Sequence, residues 1–132
     1  MGVRLVNPET LVRPVGYSHA AIGEGRAVVL AGQIGCDQSG KVEAPDELVP
    51  QFAKALDNLL EALRACGGEP ADLAHLRIFV TDVAAYREKL RALGEAWRAR
   101  FGTHYPPMTL AGVQALFEPG TVVELEGLAY VG

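Results

Sequence analysis

The sequence predicts an α+β fold: a mixed β-sheet of five or six strands with two helices packed on one of its faces. Three observations predict it. Two stretches, Leu48 to Leu63 and Tyr86 to Phe101, repeat apolar residues at helical spacing. Short apolar runs lie before, between and after them. Hydrophobic residues make up 49% of the 132 residues, enough for a packed core, and residues 1–132 are expected to form one domain.

In chain order, Val3 to Val6 is a short strand that Asn7-Pro8 ends, and Leu11 to Gly16 is an extended loop. Tyr17 to Ile22 and Arg26 to Ile34 are the next strands. Gly23-Glu24-Gly25 between them reads as a tight reversal, which would make the pair a hairpin. Gly32, inside the second of these runs, points to a bulge or to a close approach of another group to the backbone. After a turn at Asp37 to Lys41, the first helix is expected to start near Pro45, with Asp46 and Glu47 in its first turn. Leu48, Phe52, Leu56, Leu59, Leu60 and Leu63 form its apolar stripe, and Gly67-Gly68 stops it. Leu73 to Val80 is a strand. Asp82 can cap the second helix, whose stripe is Tyr86, Leu90, Leu93, Trp97 and Phe101 and which Gly102 ends. Arg87, Arg91 and Arg98 fall off that stripe and read as a solvated face.

The order is therefore β-β-β-α-β-α-β-β. Two helices cover one face of the sheet, and nothing in the chain is left for the other, although many strand residues are apolar on both faces. A bare apolar face predicts burial against another copy.

Charge and composition exclude several function classes. The net charge is −4 and the pI about 5.3, so the chain lacks the basic surface of a general nucleic-acid binder. No apolar run reaches the length of a membrane span, and Met1 to Thr10 lacks the apolar segment of a signal peptide. A cytoplasmic location is the expectation. Cys36 and Cys66 are too far apart for a zinc or redox motif and read as reduced thiols. His19, His75 and His104 have no ligand spacing, so no metal is predicted.

The most informative stretch runs from Pro106 to Tyr130. It reads as two strands, Met108 to Leu116 and Val122 to Tyr130, with a turn at Phe117-Glu118-Pro119-Gly120. In the second strand Val123, Leu125 and Ala129 point one way. Val122, Glu124, Glu126, Leu128 and Tyr130 point the other. Two carboxylates thus share one face, either as a solvated surface or with one of them lining a pocket.

Pro107-Met108-Thr109 followed by Val-Glu-Leu-Glu-Gly resembles the C-terminal signature of the reactive intermediate deaminase (Rid, or YjgF-type) family, Pro-Ala-Arg-Ser or Thr and then Val-Glu-Ile-Glu-Ala. Gly16-Tyr17-Ser18-His19-Ala20, Ala31-Gly32-Gln33-Ile34, Leu56-Asp57-Asn58-Leu59 and Phe79-Val80-Thr81-Asp82 resemble its other segments in the same order.

The resemblance implies a chorismate-mutase-like fold, a homotrimer with clefts at the subunit interfaces, and a small-molecule ligand. It also implies hydrolysis of enamines and imines to a keto acid and ammonia without metal or organic cofactor. Other members are described as ribonucleases or translation inhibitors. An iminium carbon is already electrophilic, so such a site must place water and stabilise charge.

By the resemblance, Glu124 would orient or deprotonate that water. Tyr17 and the backbone of Ala31, Gly32 and Gln33 would shape the pocket. His19 is either a pocket acid or base or a polar strand-end residue. Leu110 stands where many members have Cys. Met108 stands where an Arg grips the substrate carboxylate, and a thioether cannot make that two-pronged contact. Three alternatives follow: another group binds the carboxylate, the substrate has none, or the protein binds a ligand without turnover.

Overall fold

The computed structural model describes residues 2–132. In chain order its elements are β1 (Gly2–Val6), β2 (Ala20–Glu24), β3 (Arg26–Gln33), α1 (Leu48–Ala65) and a 3-10 turn (Pro70–Asp72). They continue with β4 (Leu73–Val80), α2 (Val83–Glu88), α3 (Leu90–Phe101), β5 (Met108–Gly112) and β6 (Val123–Val131). The α+β class holds, with six strands as expected, but they divide into a four-stranded sheet, β3-β6-β4-β5, and a separate two-stranded ribbon, β1-β2.

The division corrects the hairpin expected between the second and third strands. Strand β2 pairs antiparallel with β1, and β3 pairs antiparallel with β6. Gly23 and Glu24 belong to β2, so only Gly25 separates the two strands, and one residue is too few for a hairpin loop. Gly25 instead makes a corner at φ 111°, with the Val131 carbonyl packed where a side chain would stand. The ribbon lies against β6 and β4, with Gly23 beneath the Tyr130 ring. The face expected to be bare is therefore partly covered from within the chain. Val29, on that face beside Leu128, remains 83% exposed.

Helix α1 starts at Leu48, three residues later than expected. Ala44 and Asp46 take positive φ, and the Asp46 N–H donates to the Gly120 carbonyl, so this segment is held to the loop before β6 and is not the first helical turn. The stop at Gly67-Gly68 is as expected. Gly67 at φ 85° donates to the Arg64 carbonyl and Gly68 to the Leu63 carbonyl, the paired bonds of a Schellman motif. Asp82 caps α2 by accepting from the Ala85 N–H at 3.0 Å.

The second helix is broken at Lys89, whose N–H reaches both the Ala85 and Tyr86 carbonyls. The break sets Tyr86 edge-on to Phe52 at 6.2 Å, while Leu93, Trp97 and Phe101 are buried. Strand β5 ends at Gly112, short of the predicted Leu116. Among the described residues it is an edge strand paired with β4 alone, which itself ends at Val80. The core joins the α1 stripe to Leu76, Ile78, Val80, Val123 and Leu125 on the same side of the sheet.

Candidate functional site

Register decides where each candidate residue points. Strand β5 runs parallel to β4, with Met108 opposite Leu76 and Leu110 opposite Ile78. Leu76 and Ile78 are buried under the helices, so Met108 and Leu110 turn to that side too. There they line an open cavity of about 700 Å³ with Tyr17, Phe52, Tyr86, Leu93, Trp97, Arg98 and Tyr105. Tyr17 is delivered from the loop before β2, where the Ser18 N–H donates to the Pro106 carbonyl at 3.3 Å.

His19 does not line this cavity. Its backbone N–H donates to Asn7 Oδ1 at 2.7 Å, and its ring Nε2 lies 2.6 Å from the Val12 carbonyl. The imidazole also meets the Tyr17 ring edge-on at 5.4 Å. His19 thus braces the loop that carries Tyr17.

Glu124 lies on the other side of the sheet. It is opposite Phe79, as Glu126 is opposite Arg77, and Arg77 and Glu126 form an ion pair at 3.2 Å. Ala31 and Gly32 face Glu126 alone in the ladder, the two-against-one count of a β-bulge. The Glu124 carboxylate packs directly on Gly32, where any side chain would collide with it. Both readings of Gly32 therefore apply. Ala31, Gly32 and Gln33 gather with Glu124, and Tyr17, Met108 and Leu110 gather in the cavity. The strand register separates the two groups.

The cavity is strongly apolar. Trp97 donates its indole N–H to the His104 carbonyl at 3.0 Å, which leaves its ring as wall. Burial pushes the Tyr86 phenol above its usual pKa, and no described residue hydrogen-bonds its hydroxyl. Among the described residues, the one charged side chain in the lining is Arg98, which is exposed, as the solvated-face reading expected, and also borders the cavity. It folds back along α3, and a β-carbon on Gly94 would sit 3.1 Å from Arg98 Nη1. A glycine one turn before an arginine, inside a helix where it costs about 1 kcal/mol against alanine, is the sequence signal for this placement. Among the described residues, no three His, Cys, Asp or Glu side chains cluster so as to hold a metal ion.

The sequence profile of the family described as endoribonuclease L-PSP matches residues 10–131. The chain belongs to the endoribonuclease L-PSP family. Among curated relatives of this L-PSP chain is the 2-iminobutanoate/2-iminopropanoate deaminase of Capra hircus, 26% identical over 88% of the chain and 80% of the relative. Among solved structures, the conserved Rid-family protein YyfB of Yersinia pestis, itself of unknown function, is 32% identical. It superimposes with a TM-score of 0.89 over 99% of this chain and 100% of its own. A YjgF-family protein of Mycobacterium tuberculosis is 33% identical, with a TM-score of 0.66 over 98% of this chain and 100% of its own. The fold is thus the chorismate-mutase-like fold of the Rid proteins. No helix in the described residues is long and apolar enough to cross a membrane.

Proposed function

We propose that this L-PSP-family chain is a small-molecule cleft protein that hydrolyses reactive imines or enamines, with weak activity toward small 2-imino acids. The observation that carries this reading is the cavity around Tyr17, Met108 and Leu110, three positions that the family signature marks. In the reaction, water oxygen bonds to the imine carbon while the C=N electron pair moves to nitrogen. A carboxylate takes one proton from the water. The carboxylic acid passes that proton to nitrogen, which gives a neutral carbinolamine. The hydroxyl proton then moves through the carboxylate to nitrogen while the O–H electron pair forms the C=O bond, the C–N bond breaks and ammonia leaves. No step requires a metal or an organic cofactor.

Met108 weakens the reaction toward small 2-imino acids, because it offers no charge-assisted bond to their carboxylate. Glu124 is the candidate for handling water. Its position across the sheet from Met108 supports a cleft between subunits, in which the cavity of one copy faces the Glu124 surface of the next. The assembly proposed is a homotrimer.

The test is release of keto acid from 2-iminopropanoate or 2-iminobutanoate generated in situ. Wild type should be slow, Met108→Arg faster, and Met108→Arg with Glu124→Gln inactive, since an amide cannot accept the proton. High wild-type activity that falls on Met108→Arg would overturn the reading. Inactivity of all three variants would favour a non-catalytic ligand-binding protein, a reading that Met108 alone already supports.

A further inference from the structure

We propose that Arg98 is the anion-binding residue of the cavity, and that the ligand it holds is a carboxylate with a bulky hydrophobic body. The inference rests on reading this cavity as the ligand site, and it names the ligand class.

The argument begins with charge. Among the described residues, Arg98 is the only ionised side chain in a lining otherwise made of aromatic, aliphatic, methionine and glycine residues, and it borders the cavity while exposed to solvent. By contrast, Arg64, Arg77 and Arg100 each pair with an acid, at 3.5, 3.2 and 2.6 Å. Among the described residues, Arg98 has no carboxylate within ion-pair distance. A guanidinium beside apolar walls and without a counter-charge has its five donors available for a ligand carboxylate.

Local structure supports the same assignment. Gly94 leaves open the surface of α3 over which the Arg98 guanidinium lies. An arginine that served only to complement the negative end of the helix would not need that space. Met108, at the family's usual carboxylate position, instead adds apolar surface to the wall. The anion anchor has thus moved from β5 to α3, to the mouth of the cavity, and the released volume is lined for a hydrophobic group. A cavity of about 700 Å³ is far larger than a three- or four-carbon acid requires. Benzyl or branched aliphatic bodies suit it, with Tyr17, Tyr86 and Tyr105 offering edges and hydroxyls.

Trp97 is the only tryptophan in the chain and lines the cavity, so its fluorescence reports occupancy directly. The probes are 3-phenylpropanoate, its neutral counterpart 3-phenylpropan-1-ol, and propanoate. Saturable binding of 3-phenylpropanoate is expected, with the alcohol and propanoate each at least about ten-fold weaker. Arg98→Gln should weaken 3-phenylpropanoate on the order of ten-fold or more and leave the alcohol unchanged. Arg98→Lys should restore part of the loss, and added salt should weaken the acid but not the alcohol.

Equal binding of acid and alcohol by wild type, or an affinity for the acid that Arg98→Gln leaves unchanged, would overturn the assignment, as would no binding of any probe. Because the readout is binding, its outcome is independent of turnover. Arg98-dependent binding without imine hydrolysis would sink the hydrolase reading alone. Hydrolysis that Arg98→Gln does not alter, together with unchanged binding, would sink this one alone.

Discussion

His75 shows how one side chain can give the fold a pH dependence. It lies on β4 between Leu73 and Arg77, and burial first, then the Arg77 charge, hold its pKa below the usual 6.5, against an opposing pull from Glu126. The folded state therefore binds this proton less readily than the unfolded chain. The stability linked to it is fully present above about pH 6.5. It is lost as pH falls from there toward the folded value, below which the effect is flat. Urea midpoints measured from pH 7.5 down to 5 should fall for wild type more than for His75→Gln. Equal slopes for the two proteins would remove His75 as the cause. Met108 and Arg98 make a different point at the same scale. Met108 was singled out in the sequence because a motif defines its position. The guanidinium at the cavity was missed, because its one local signal, Gly94 a turn earlier, carries no partner or direction until Arg98 is seen folded back over it.

At the scale of elements, the start of α1 depends on a buried glutamine. Gln51 is fully buried, and its Nε2 donates to the Ala44 and Gly120 carbonyls at 3.0 and 2.7 Å. Its Oε1 accepts from the Val122 N–H at 2.9 Å. One amide thus ties the strained Ala44–Asp46 turn to the entry of β6. Gln51→Leu should cost about 3 kcal/mol in chemical denaturation, since each bond is worth roughly 1 kcal/mol and three backbone groups would be left unpaired. A loss under about 1 kcal/mol would mean that water replaces the amide.

The same contacts explain what the sequence could and could not show. Periodicity located both amphipathic stripes, and the glycine pair after Cys66 and the Asp82 cap marked helix ends, because those signals are local. The start of α1 was missed because it is set by Gly120 and Val122, some 70 positions away in the chain. Strand β2 was misassigned a partner for a similar reason. Alternation reports a strand's faces, not its neighbours, and only the single-residue spacing at Gly25 argued against a hairpin. The opposed directions of Met108 and Glu124 follow from the register of β4 with both its neighbours, which no motif contains.

The whole molecule presents one sheet face that its ribbon covers only near Tyr130. Val29, 83% exposed, and Glu124 are on the part left open. If three copies close around that face, a charge on its exposed apolar part should prevent closure. Light scattering at micromolar concentration should give a mass near three chains for wild type and near one for Val29→Glu, whose carboxylate would be buried without a partner. A wild-type monomer would sink the trimer and, with it, the shared cleft.

The corner at Gly25 also bears on how the chain can vary in length. One residue joins the ribbon to the sheet, and its φ of 111° is closed to side chains. An insertion there would shift the pleat by half a period and turn Val3 and Leu5 outward, stripping the cover from Tyr130. In the 113–122 loop Gln51 holds Gly120 and Val122, but the segment around the fully solvated Phe117 is free of that hold. Lengthening is therefore tolerated around Phe117, in the connection between β5 and β6, and forbidden at the ribbon, which keeps a fixed span.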